Sequence, residues 1–148
     1  MQLIDIGANL THDSFDRDRD AVLQRARDAG VAQLVITGAS REHSPLALQL
    51  AQQHPGFLYA TAGVHPHHAV EFTAECEREM RALQAQPQVV AVGECGLDYY
   101  RDFAPRPAQH KAFERQLQLA ADNGKPLFLH QRDAHDDFLS IMRAFDGR

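Results

Sequence analysis

With 148 residues, 44% of them hydrophobic and 24% charged, the chain has the makeup of one globular domain or part of one. A formal net charge of −5 argues against holding nucleic acid through a broad basic surface, although bound divalent cations could offer positive charge to a phosphodiester. No apolar run is long enough to span a membrane, the N-terminus carries no signal-like segment, and Cys76 and Cys95 form no close-spaced pair, so a reduced, cytoplasmic setting is expected.

In chain order, Leu3–Ile6 predicts a first strand that begins almost at once. Residues 15–29 predict a charged amphipathic helix stopped by Gly30. Leu34–Thr37 predicts a second strand. Ser44 followed by Pro45 reads as an N-cap with proline at the first helical position; that helix runs to about His54 and is closed by Pro55-Gly56. A third strand lies within 57–64. Thr73 is expected to cap a helix reaching about Gln86. Val89–Val92 has the continuous apolar character of a strand buried on both faces. A longer helix over 107–123 stops at Gly124, Leu127–Leu129 predicts a fifth strand, and Asp133 is expected to cap a last helix through about Ala144.

Five strand–helix units in succession, with no linker, low-complexity segment or repeat, imply a parallel sheet with right-handed crossovers. Two architectures fit: a doubly wound open sheet, or a (β/α)8 barrel that stops early. A full barrel takes roughly 250 residues and eight strands. Counting alone favours the open sheet.

Parallel strands bring their C-terminal ends to one edge, where such folds place their chemistry. The first strand delivers Asn9, with Thr11 and His12 behind it, and the second Thr37 and Gly38. The third delivers Gly63-Val-His65-Pro-His67-His68, the fourth Glu94 and then Asp98, and the fifth His130 followed by Arg132 and Asp133. Imidazoles beside carboxylates suit Zn²⁺, Mn²⁺ and similar ions. A carboxylate can also bridge two ions, a device for hydrolysing phosphate esters. Glu94 stands out because Gly93 and Gly96 flank it, and glycines there admit a close backbone or ligand.

Other candidates have plainer readings. His12, His43, His54 and His110 read as surface histidines with no partner visible in the sequence, His68 as solvated, and His135 as part of the first turn of the last helix. Cys76 reads as lying on a helix face and Cys95 as a small packed residue. The charged run over 13–27 reads as an exposed helix face. No G-x-G-x-x-G or G-x-x-x-x-G-K-[ST] follows the first strand, which argues against a dinucleotide or NTP site.

The segments Asp5-Ile-Gly-Ala-Asn-Leu10, Thr61-Ala-Gly-Val-His-Pro-His67, Gly93-Glu-Cys-Gly-Leu-Asp98 and His130-Gln-Arg-Asp-Ala134 resemble, in order and spacing, the motifs of the TatD family of metal-dependent deoxyribonucleases. The resemblance covers the whole chain and reverses the choice made by counting. It implies an α/β fold of the (β/α)8 TIM-barrel type, truncated to about five strand–helix units, with residues 1–148 as the N-terminal portion of a single barrel. It also implies 3′-to-5′ exonuclease-like hydrolysis of DNA phosphodiesters, at single strands or 3′ ends. Mg²⁺ is the first expectation for the metal, with Mn²⁺ or Zn²⁺ as alternatives.

Carried over by position, Glu94 matches a metal-bridging carboxylate and His130 a metal-ligating histidine, so both are expected to be metal-binding and catalytic. His65 matches the histidine after the third strand, which faces the metals or a substrate phosphate. His65, His67, Asn9 and Arg132 are expected at the substrate. Where many relatives have an H-x-H pair after the first strand, this chain has Gly7 and Asn9, a form that one branch of the family carries and that implies weaker or fewer metal contacts. The family's next metal histidine and its catalytic aspartate come from later strands, beyond Arg148. The isolated chain is therefore expected to lack part of the site and to expose an edge on its first or fifth strand. Two alternatives remain: a non-catalytic truncated domain that self-associates or pairs with another chain, and a metal-dependent hydrolase of another ester or amide.

Overall fold

Five strands, all parallel and hydrogen-bonded in chain order, form one wall of a barrel in the computed structural model, which describes residues 2–145. Met1 and residues 146–148, the ends of the predicted unit, lie outside the described residues. The elements are β1 (Leu3–Ala8), α1 (Arg19–Asp28), β2 (Val31–Ile36), α2 (His43–Gln53), β3 (Leu58–Ala62), α3 (Ala74–Gln84), β4 (Val89–Asp98), α4 (Arg106–Asn123), β5 (Leu127–Arg132) and α5 (His135–Ala144). Strand order decides the architecture. A doubly wound sheet reverses direction at a switch point, so its first strand lies inside the sheet. Here every crossover steps to the next position, and β1 and β5 are the two edges. This is a TIM-barrel-type half-barrel of five units.

Local sequence accounts for several element ends. The Thr73 hydroxyl accepts the Cys76 N–H at 3.2 Å and caps α3, and α1 and α4 stop at Gly30 and Gly124 as read from the sequence. Ser44 is a correction. The turn before α2 is held by the Ser40 hydroxyl, which accepts the His43 N–H at 3.0 Å. Ser44, wholly buried, instead donates to the Gly63 carbonyl at 2.9 Å and accepts the Gly63 N–H at 3.2 Å, tying α2 to the end of β3. Asp133 caps nothing: α5 begins two residues later without a side-chain cap. The helix expected from residue 15 begins at Arg19, because Asp13–Phe15 turns as a separate 3-10 segment.

The main core lies between strands and helices and contains Ile36, Leu58, Val89 and Val92 with Ala47, Met80 and Leu119. A second cluster gathers Cys95, Leu97, Phe113, Leu117, Ala134 and Ile141, where the rings of Phe113 and Phe138 stack 5.0 Å apart. Cys76 lies on α3 and Cys95 is packed in the second cluster, as their plain readings expected, and both are buried. The edges are less covered: Leu3, Ile4 and Ile6 of β1 and Leu129 of β5 remain exposed. Among the described residues, no helix is long and apolar enough to cross a membrane.

Candidate metal centre

β4 does not end at Val92. It runs on to Asp98 with a shift of register against β5 between Val92 and Cys95. Gly93 and Gly96 make this possible. Both have positive φ (128° and 145°), and a Cβ on either would lie within 2.2 Å of a β5 carbonyl oxygen, that of Phe128 or of His130. Side chains alternate along the extended strand. Cys95 and Leu97 join the second core cluster, while Glu94 and Asp98 reach a shared group of imidazoles on the other side.

The imidazole of His130, at the C-terminal half of β5, sits between those carboxylates. Its Nδ1 is 3.2 Å from Glu94 Oε1 and its Nε2 is 3.1 Å from Asp98 Oδ2. His67 Nε2 is 2.8 Å from the same Asp98 oxygen. His65 Nε2 is 3.8 Å from Glu94 Oε1, and its ring meets those of His67 and His130 edge-on at 4.2 and 4.3 Å. One potential ligand atom each from His65, Glu94 and His130 lie within 4.8 Å of one another. Two imidazoles and a carboxylate this close are a donor set that fits a divalent cation.

Backbone anchors hold the group in place. The Glu94 N–H donates to the Gly38 carbonyl at 2.9 Å, and the His65 N–H to the Ala39 carbonyl at 2.8 Å, so the end of β2 braces both. Asp98 Oδ1 accepts the N–H groups of Tyr100 and Arg101 at 3.0 and 2.8 Å, leaving Oδ2 for the imidazoles. Two buried glutamines on α4, seven residues apart and hence on one helix face, grip the strands from behind. Gln116 Oε1 accepts the Val64 N–H at 2.8 Å while its Nε2 donates to the Val64 carbonyl at 2.9 Å. Gln109 does the same for Asp98, at 2.9 and 3.2 Å.

The electrostatics of the group follow from burial and from its own hydrogen bonds. Burial pushes the His65 imidazole down to about 4, against the opposing pull of Glu94, so at neutral pH the ring is uncharged and one of its nitrogens keeps a lone pair. His130 moves up, because its hydrogen bond to Glu94 outweighs burial. Burial works against ionisation of Glu94, yet the hydrogen bond to His130 and the nearby imidazoles hold its carboxyl below the usual range. Asp98 too is opposed by burial, but the Arg101 N–H and the two imidazoles hold it at about 2.

Of the residues expected at the site, Glu94, His130, His65 and His67 come together here. Asn9 stands exposed beyond β1, where its carbonyl accepts the His12 N–H at 3.3 Å, and Arg132 lays its guanidinium over the Tyr100 ring at 3.8 Å. Neither side chain joins the cluster. Asp98, placed by the sequence on this rim but not among the expected site residues, joins the group; its signal is its spacing, since residues 94 and 98 share a face only if the strand continues through the glycines. His12, His43 and His110, read without partners, have them in Ser14, Ser40 and Asp137.

A half-barrel whose C-terminal rim gathers imidazoles and carboxylates defines a class of protein: a TIM-barrel-type fold with a metal-competent centre at the ends of its strands. Within that class the chain belongs to the TatD family, whose profile, described as "TatD related DNase", matches residues 4–148. The "3'-5' ssDNA/RNA exonuclease TatD" of Erwinia tasmaniensis is 50% identical over 141 residues, covering 95% of this chain and 54% of that protein. The protein of the same description from a Pantoea species is 51% identical, with the same coverage. Among solved structures, a TatD homologue from Escherichia coli K12 superimposes with a TM-score of 0.89 at 30% identity, over 97% of this chain and 56% of that one. A TatD family hydrolase from Entamoeba histolytica gives 0.86 at 29% identity, over 98% and 55%. The chain thus spans about half the length of the relatives it matches.

Proposed function

We propose that this chain carries the β3–β5 share of the metal centre of a TatD-type nuclease, a metal-dependent phosphodiester hydrolase that trims single-stranded nucleic acid from the 3′ end. The observation that carries this reading is the convergence of His65, Glu94 and His130 on one rim. In this reading all three hold the ion. His65 moves from the substrate to the ligand set because its imidazole lies as close to Glu94 and His130 as a shared ligand must. Asp98 holds His130 and His67 in orientation through its single free oxygen, the role a carboxylate plays behind a ligating histidine. His67, Asn9 and Arg132 are left to face the substrate. A bound divalent ion supplies charge for the phosphodiester and an acidified water. Imidazole donors suit Zn²⁺, whereas carboxylate oxygen and water suit Mg²⁺ and Mn²⁺, so the mixed donor set fits either class of ion.

The remaining strand–helix units of the relatives' barrels complete the site in this reading, so the 148-residue chain binds metal and cleaves little by itself. The test is Mn²⁺ and Mg²⁺ titration calorimetry of the chain and its Glu94→Ala variant, followed by cleavage of a 3′-ended single-stranded oligonucleotide. One metal site lost with Glu94 is the expected result. Metal binding untouched by the substitution would overturn the assignment. The buried, free Cys76 and Cys95 fit the reducing cytoplasm as its setting.

The exposed Leu3, Ile4 and Ile6 on the β1 edge favour a second reading, self-association through the unclosed barrel edges. Sedimentation of the chain beside an Ile6→Lys variant tests it. A dimer that becomes a monomer supports the reading, and a wild-type monomer rejects it.

A further inference from the structure

We propose that the loop between β4 and α4, together with the end of β5, forms a stacking platform for bases of a single-stranded nucleic acid, with Phe103 and Tyr100 as the ring surfaces and Arg101 and Arg132 as the cations for its backbone. The proposal rests on the nuclease reading above and adds the place where the nucleotide bases sit.

Three observations carry it. First, Phe103 and Tyr100 are 67% and 59% exposed, three residues apart, in a loop that the fold otherwise holds tightly. A single exposed aromatic is ordinary, but two beside a candidate centre are not explained by core packing. Second, both arginines pack against the same ring: the guanidinium carbon of Arg132 lies 3.8 Å and that of Arg101 6.0 Å from the centre of Tyr100. Neither has an ion-pair partner among the described residues. Their charges stay available to phosphates even though the chain as a whole is acidic. Third, the platform is continuous with the metal group. The Phe103 ring tilts over the His67 ring at 4.8 Å, and His67 in turn meets His65 and bonds Asp98.

The loop is also preorganised. Its start is tied by the Tyr100 and Arg101 N–H groups to Asp98, and its end by Gln109 Nε2, which donates to the buried Ala104 carbonyl at 2.9 Å. Little freedom remains to be lost when a base lands on the rings. Aromatic faces alternating with unpaired arginines are what a sequence-tolerant single-strand site requires, because every base has a π face and every nucleotide a phosphate.

The test compares two 5′-fluorescein phosphorothioate hexamers, one of thymidines and one abasic, by anisotropy with the 148-residue chain in Mn²⁺. The wild type is expected to bind the thymidine strand about tenfold more tightly than the abasic strand. Phe103→Ala and Tyr100→Ala should each reduce that preference, and Phe103→Trp should keep it. Both sites are exposed, so the variants should melt like the wild type; if an alanine variant does not fold, the abasic comparison on the wild type still decides. Binding of both strands with no base preference, or a preference that survives in both folded alanine variants, overturns the platform and leaves the nuclease reading standing. A folded wild type that binds neither strand also overturns the platform, while the Mn²⁺ titration with Glu94→Ala decides the nuclease reading separately.

Discussion

β4 and β1 carry similar apolar residues and meet opposite fates. β4 is paired on both sides, and its Val89, Val92 and Leu97 are wholly buried. β1 has one neighbour, and its Leu3, Ile4 and Ile6 face solvent. Burying such a side chain stabilises by roughly 1.5–3 kcal/mol, so the half-barrel is strong along β4 and weak along β1. The candidate centre follows the same division. Its imidazoles and carboxylates come from the ends of β3, β4 and β5, whereas Asn9 at the β1 end stands in solvent, away from the group.

The comparison breaks hardest at Glu94. Glu94→Ala removes the one carboxylate of the proposed trio and should weaken Mn²⁺ binding by more than about 100-fold, beyond what loss of an outer partner costs. Calorimetry reads it directly. Next comes Gln116→Leu, which leaves the buried Val64 N–H and carbonyl without their partner. A loss of about 3 kcal/mol is expected in urea unfolding, with secondary structure retained in the folded baseline. Asp98→Asn keeps the shape but removes the charge that orients His130. It should lower metal affinity by about 10- to 100-fold.

A subtler effect is pH dependence in the metal-free chain. His65 is held down to about 4, so between its ordinary 6.5 and that value the unfolded chain takes up a proton that the folded one refuses. Stability should fall as pH drops through that window. His130 is shifted up, so its contribution is full below 6.5 and is lost as pH rises through its folded value. Thermal melts should therefore peak near pH 6.5 where these two groups dominate, and His65→Gln should flatten the acid side between 6.5 and 4. An unchanged acid side would rule out His65 as its source. The smallest effect belongs to the other region: Ile6→Ser on exposed β1 should change the stability of the monomer by less than about 0.5 kcal/mol.

Much of the fold is legible in the chain itself. Alternating apolar runs and amphipathic stretches, the cap at Thr73 and the stops at Gly30 and Gly124 mark the elements because each is a local property of backbone and neighbouring side chains. The residue types at the strand ends mark Glu94, His130, His65 and His67 by the same logic. What local pattern leaves open is anything made by approach across the fold. Counting strands could not separate an open sheet from a barrel, since both share one alternation and differ only in which strands pair. β4 seemed to end at Val92 because Gly93 and Glu94 interrupt its apolar run. Only the close passage of the Phe128 and His130 carbonyls shows why glycines keep it going, and with it why Asp98 belongs to the centre. Ser44 reads as a cap until Gly63 is seen beside it, and Gln109 and Gln116 read as ordinary polar helix positions until their amides are found on the backbone of Asp98 and Val64. The sequence by itself determined the order of elements, the chemistry on offer at one rim and the family. Tertiary structure decided strand pairing, which side chains meet at the candidate centre and which apolar residues stay wet, because those depend on distances between segments far apart in the chain.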